Sequence, residues 1–159
     1  MKIAIGADSY GFDLKEAIKS FLLEKGHEVQ DLGISSSDGD TPYYQIAADV
    51  AKQVATHEAE RAILFCGTGM GMAIIANKFP GVYAAPCENT HAARNSRSIN
   101  NANVLTMGGM FTAPALAQEI VGTWLDTEFT QGWGADTQAW LENSMKDINQ
   151  IESSQFSDD

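Results

Sequence analysis

Short apolar runs and longer amphipathic runs take turns along this chain, and that alternation narrows the choice of folds more than any single residue does. Residues 2–7, 61–65 and 103–107 are compact apolar stretches of strand length. Between the first two, Leu14, Ala17, Ile18, Phe21 and Leu22 fall at helical spacing, with a stop at Gly26. The rest of the pattern predicts strands over 28–32 and 82–85. It predicts helices over 42–56, 69–79, 90–98, 113–125 and 136–148. Pro42 suits the opening turn of its helix, where a backbone N–H is not needed. Strands separated by helices require crossover connections, which make the strands parallel and cover both faces of the sheet. The expected fold is therefore α/β, a Rossmann-like three-layer α/β/α sandwich around a five-stranded parallel sheet. With 159 residues the chain suffices for one core, expected over residues 1–150, with an acidic polar tail expected to fray over 151–159.

Charge and composition then limit the function. The 10 basic residues stand against 21 acidic ones, a formal charge of −11. Nucleic acid and anionic membranes repel such a chain, so neither is an expected partner. No apolar run approaches the roughly 20 residues that span a bilayer. The first residues reach an acid at Asp8, unlike a secretory leader. Cys66 and Cys87 have neither metal-ligand nor disulfide-framework spacing, which fits a reducing cytoplasm. His27, His57 and His91 are scattered, so no metal is expected. A dinucleotide fingerprint would need glycine where Met72 stands, and no cofactor is expected.

Ligands of open parallel sheets sit beyond the strands' carboxyl ends. This rule directs attention to Asp8 and Ser9, to Cys66-Gly67-Thr68-Gly69, and to the Ile99-Asn100-Asn101 turn leading into the fifth strand. The run Cys66-Gly67-Thr68-Gly69-Met70-Gly71 follows a strand and precedes a helix, so its backbone amides converge and suit a phosphate or an enediolate oxyanion. Thiols in such surroundings lose their proton readily and act as bases. The same residues equally fit a small core thiol followed by a tight turn. Asp8 faces the ligand crevice, and capping of the next helix is its structural alternative.

Asp8 after Gly6-Ala7, Asp40-Thr41-Pro42, the glycine run continuing to Ile75-Ala76-Asn77-Lys78, and Asn100-Asn101-Ala102-Asn103-Val104-Leu105 follow one another in the order of a known family. Over residues 1–126 the chain resembles the RpiB/LacA/LacB sugar-phosphate isomerases. The resemblance implies a metal-free aldose–ketose isomerisation through a cis-enediolate. The family places its base either at a cysteine opening the glycine loop or at a glutamate six positions later. Those positions are Cys66 and Met72 here, so the resemblance assigns the base to Cys66. It also assigns the oxyanion to the amides of Gly67, Gly69 and Gly71 with Asn100, and the sugar hydroxyls to Thr68 and Asp8. Family members form dimers or tetramers with sites between subunits, so a homodimer or tetramer is expected.

Departures from the family pattern bear on the substrate. Ser9 stands where the family usually has histidine, and Ile99 replaces the histidine credited with opening cyclic sugars. Trp133 and Thr137 occupy the region of a phosphate-gripping arginine pair. A tetrose 4-phosphate needs no ring opening, because its O4 is blocked, and the Ser9 and Asn-Asn pattern resembles the tetrose-phosphate branch. Ribose 5-phosphate is the other expected substrate of the leading reading. Arg94 and Arg97, close on one helix, are the candidates for the phosphate contact. The alternatives are an unphosphorylated sugar or sugar acid, and a non-catalytic partner subunit.

Overall fold

In the computed structural model, which describes residues 1–157, five parallel strands form one sheet in the order β2-β1-β3-β5-β4. In chain order the elements are β1 (Lys2–Ala7), α1 (Phe12–Glu24), β2 (Glu28–Asp31), α2 (Tyr43–Ala55), β3 (Arg61–Cys66) and α3 (Met70–Ala76). They continue with β4 (Ala84–Pro86), α4 (Thr90–Ser98), β5 (Val104–Gly108), α5 (Pro114–Leu125) and α6 (Ala135–Phe156). The α/β sandwich expected from the alternation is the observed architecture.

Strand periodicity sorts the core into two layers. Ile3 and Ile5 of β1, Ile63 and Phe65 of β3, and Leu105 and Met107 of β5 pack under α1 and α5 around Trp124. The alternate positions Ala4, Ala62, Leu64, Cys66 and Val104 face α2 and α3, meeting Ile46, Val50, Met72 and Ala76. Cys66 therefore ends a row of inward-pointing side chains, which accounts for its burial. Among the described residues no helix is long and apolar enough to cross a membrane.

Most boundaries shift by a residue or more from the sequence pattern, and four of the shifts have a clear local reason. Strand β4 starts at Ala84, two residues late, because Val82 closes a turn onto Phe79 O and the Tyr83 amide donates to Asn103 Oδ1 at 2.8 Å. Strand β3 runs on to Cys66 because Cys66 still pairs with Gly108. Helix α3 stops at Ala76, since the Asn77 side chain pairs with the backbone of Ala84 through bonds of 2.7 and 2.9 Å. Helix α6, expected to end at 148, reaches Phe156, so the segment expected to fray from residue 151 is helical there. Asn149 and Glu152 hold this extension to the body by accepting from Tyr83 Oη and the Gly81 amide. Asp158 and Asp159 lie outside the described residues.

Candidate active site

Strands β1 and β3 are neighbours whose outgoing connections leave to opposite sides: β1 leads to β2, while β3 leads towards β5 and β4. A crevice opens at such a switch point, beyond the carboxyl ends. A 350 Å³ cleft is found there, lined by Asp8, Tyr10, Tyr43, Cys66, Gly67, Thr68, Gly71 and Met110.

The glycine run leaves β3 at Cys66 and turns at Gly69, whose φ of +77° lies in the left-handed region. A side chain at position 69 would also meet the backbone of Met107 at 2.9 Å, so the turn passes too close to β5 for anything but glycine. This close passage aims the Gly69 amide back at Cys66 Sγ, 3.1 Å away. The thiol is 6% exposed and opens onto the cleft. Thr68 lines the cleft, its Oγ1 accepting from the Met70 amide at 3.3 Å. The loop after β5 locks the other side, with the Gly109 amide donating to Cys66 O at 2.8 Å and Met110 to Gly67 O at 3.0 Å.

Asp8 sits opposite, one residue past β1. Its Oδ1 accepts from the amides of Tyr10 and Gly11 at 3.0 and 3.1 Å, while Oδ2 has no protein partner among the described residues. Burial raises the Asp8 carboxyl above its ordinary range, and the Gly11 and Tyr10 amides oppose the rise. The side chain thus holds the turn that precedes α1 with one oxygen and keeps the other out of that turn.

Several residues singled out by the sequence lie elsewhere. Ser9 is exposed and outside the lining. The Ile99–Asn101 turn precedes β5, so it lies at the amino end of the sheet, contrary to the carboxyl-end placement expected for it. Cys66 pairs with Gly108, whereas Asn100 is four residues before Val104, so about 13 Å of strand separates the two ends. Asn100 and Cys66 of one chain therefore do not share a cleft. Arg94 is exposed on α4. Arg97, expected at the phosphate, is 5% exposed and donates through Nε to Thr127 O and through Nη1 to Asn101 Oδ1 and Ala102 O. Met72 is buried in the α2–α3 layer.

Tyr10, Tyr43 and Met110 line the cleft without having been singled out. Tyr10 directly follows the Asp8-Ser9 pair, and Tyr43 opens the helix after Pro42, positions that a search of strand and helix ends reaches. Met110 arrives only through the β3–β5 pairing, for which the local sequence carries no signal. Lysine and arginine are absent from the lining, so one chain presents amides, hydroxyls, a carboxylate, a thiol and apolar rims.

Residues 3–140 match the family model described as Ribose/Galactose Isomerase. The chain is 47% identical to a 4-deoxy-4-sulfo-D-erythrose isomerase of a Clostridium species, over 97% of each chain. It is 42% identical to a D-erythrulose-4-phosphate isomerase of Pectobacterium atrosepticum, covering 85% of this chain and 89% of that one. A solved structure of Clostridium thermocellum ribose-5-phosphate isomerase B superposes with a TM-score of 0.88 at 39% identity, covering 98% of this chain and 99% of that one. The cleft at the β1–β3 switch point, its cysteine and glycine run, and these likenesses together show that the chain belongs to the RpiB/LacA/LacB family of sugar isomerases.

Proposed function

We propose that this protein interconverts a four-carbon aldose and ketose bearing a strong acid at C4, with Cys66 as the base. The observation that carries the reading is the Gly69 amide pointing at Cys66 Sγ from 3.1 Å at the wall of the cleft. An amide so aimed donates to the sulfur and fixes its direction at the wall of the cleft, where a proton-shuttling group has to stand.

The thiolate takes the C2 proton of the aldose, and the C2–H electron pair becomes the C1–C2 double bond of a cis-enediolate. The carbonyl π pair moves onto O1. The proton of the C2 hydroxyl passes to O1, and the thiol returns its proton to C1, leaving a ketone at C2. Sulfur ends as it began, and no electron acceptor is needed. The amides of Gly67 and Gly71, which line the cleft, meet the charge on oxygen, as oxyanion-hole donors do, while the expected contribution of Gly69 goes to Cys66 Sγ instead. Asp8 Oδ2 and Thr68 Oγ1 hold the sugar hydroxyls, and Ser9, outside the lining, takes no part. Asn100, remote from its own cleft, supplies its carboxamide to the cleft of a second copy. Arg94, exposed on α4 just before the turn that holds Asn100, approaches the acid group of that substrate. Activity thus belongs to a dimer or a larger assembly.

Two observations favour a tetrose. Ile99 holds no proton to assist ring opening, and a C4-substituted tetrose has no O4 hydroxyl with which to close a furanose. The names of two relatives, a sulfotetrose isomerase and a tetrose-phosphate isomerase, point the same way. A sulfonate carries one charge where a phosphate monoester carries close to two at neutral pH, so a lining without lysine or arginine favours the sulfonate.

The deciding experiment places wild type and Cys66→Ala in deuterium oxide with 4-deoxy-4-sulfoerythrose, erythrose 4-phosphate, ribose 5-phosphate and free erythrose. Wild type should exchange the C2 proton of the sulfotetrose fastest, and Cys66→Ala should exchange none of them. Retained exchange in the variant would refute the assigned base. Turnover of free erythrose at an equal rate would refute the need for a C4 acid. A wild-type protein inert on all four until mixed with a homologous subunit would support the partner-subunit alternative instead.

A further inference from the structure

Arg97 is a buried cation for which no carboxylate lies within ion-pairing distance among the described residues. Burial, with Arg61 nearby, lowers its pKa to about 10, which still leaves it charged at neutral pH. Its hydrogen bonds show where the charge is used. Nε donates to Thr127 O at 3.2 Å, and Nη1 donates to both Asn101 Oδ1 at 3.1 Å and Ala102 O at 2.7 Å. The guanidinium therefore ties the turn after α4 to the loop that follows α5. A second tie runs parallel to it, the Thr130 amide donating to Ser98 O at 2.9 Å.

The turn so held is unusual in itself. Asn101 has a φ of +52°, in the left-handed region, and its amide donates to Arg97 O at 3.0 Å. Asparagine is one of the few side chains that tolerate this conformation at the end of a helix. The Ala102 amide then reaches back to Ser96 O at 2.9 Å. Asn100, the residue between the helix and the left-handed position, is exposed, and its carboxamide makes no hydrogen bond among the described residues. The turn thus has a fixed base and a free tip, and the tip is Asn100.

We propose that Arg97 is a positioning residue for Asn100: its clamp on Asn101 and Ala102 sets the direction in which the Asn100 carboxamide meets the substrate of the neighbouring copy. The inference rests on the reading that Asn100 acts in a second copy's cleft. It replaces the expected role of Arg97 as a phosphate ligand with one exerted through the turn. Preorganised donors lose their advantage when their supports loosen, because the reacting charge must then pay for ordering them.

The test is a double-mutant cycle on the full-length assembled protein, with kcat, KM and the thermal midpoint measured for each variant. Asn101→Gly keeps the left-handed backbone at no steric cost and deletes the Arg97 acceptor. It should lower kcat about tenfold, leave KM within about twofold and hardly move the midpoint. Asn100→Ala should lower kcat by about 100-fold, as loss of an oxyanion donor does. In the Asn100→Ala background, Asn101→Gly should cost nothing further, because the group it positions is gone. Arg97→Lys, which keeps a charge but not the fork, should show the same dependence on Asn100 even if it also lowers the midpoint. A loss of equal size in both backgrounds would overturn the positioning role while leaving the Asn100 reading intact. Unchanged kcat in Asn101→Gly and full kcat in Arg97→Lys would overturn it as well. An Asn100→Ala variant with wild-type kcat would overturn both the reading and the inference that rests on it.

Discussion

Replacing Gly69 by alanine probes the geometry on which the proposed chemistry depends. Two costs arise at once. At φ +77° a Cβ brings backbone strain of about 1–2 kcal/mol. The new methyl would also lie 2.9 Å from the backbone N and C of Met107, whereas ordinary contact begins near 3.4 Å, so something must move by roughly 0.5 Å. Met107 belongs to β5, which is paired with β3 on one side and β4 on the other, so the strand holds and the loop yields. Relief of such overpacking costs about 1–3 kcal/mol, and the sum, about 2–5 kcal/mol, leaves a typical domain folded. The displaced Gly69 amide then recedes from Cys66 Sγ, now 3.1 Å away, and the base loses the donor that directs it. Loss of one such donor lowers kcat by about 10²- to 10³-fold. Gly26→Ala is the matched control: its φ is +83°, nothing lies within 4 Å of the new methyl, and it sits beyond α1, away from the cleft. It should lose about 1–2 kcal/mol of stability and no activity. Initial rates, deuterium incorporation at C2 and urea unfolding of the two variants decide the matter. A Gly69→Ala protein that is destabilised as expected yet keeps kcat within about threefold of wild type would refute the link from the turn to catalysis.

Two more predictions concern acids. Lys15, fully buried, gives its ammonium to Asp31 Oδ2 at 2.8 Å, to Ile34 O at 3.1 Å and to Glu16 Oε1, and Lys19 joins the same Asp31 oxygen. Burial raises the Asp31 carboxyl, but the bonds from Lys15 and Lys19 more than offset it and hold the group below its ordinary value. A lowered carboxylate contributes stability that is present above the unfolded pKa and lost as pH falls through the folded one. Asp31→Asn should therefore cost about 1.5–3 kcal/mol at neutral pH, by weakening the bonds from Lys15 and Lys19 while Glu16 and Ile34 O still hold the Lys15 ammonium, and urea titrations should show that difference shrinking under strongly acidic conditions. At the cleft, Asp8 is shifted the other way by burial. The acid limb of kcat/KM should accordingly lie above the ordinary carboxylate range. In Asp8→Asn that limb should vanish while KM rises about tenfold, and an unchanged pH profile would remove Asp8 from substrate binding.

The strands and helices were legible because one-sided burial writes a period into the sequence, and Ile3, Ile5, Ile63 and Phe65 share the face that alternation assigns them. Boundaries were less legible where side chains intercept backbone groups. Asn77 and Asn103, both in the motif that carries the family resemblance, bind the backbone of residues 81–84 and thereby fix the edge strand β4. The extension of α6 depends on bonds from Gly81 and Tyr83, some 70 residues away in sequence, which no local pattern contains. At the site, Cys66, Thr68 and Asp8 could be found because strand ends are where a parallel sheet binds ligands. The rim formed by Tyr10, Tyr43 and Met110 comes from three separate connections and becomes visible only when the strand order is known. Arg97 misled for a simpler reason: a helix-face arginine reads as free until a neighbouring loop covers it.

The margins of the sheet have a consequence for self-association. One border strand, β4, has three residues and ends in Pro86, which has no amide hydrogen to offer; the other, β2, has four and carries Glu28 and Asp31. Such blunt, acid-marked borders give a foreign strand little to zip onto. A second copy would gain little from strand pairing here, so an assembly of this chain would rest on side-chain contacts. Tyr10 and Met110 at the cleft, Phe111 beside Met110, and Trp140 and Ile151 along the last helix are among the large apolar groups left exposed. Affinity between copies should then follow the fit of those aromatic and sulfur-bearing surfaces, tunable one residue at a time without disturbing the sheet beneath.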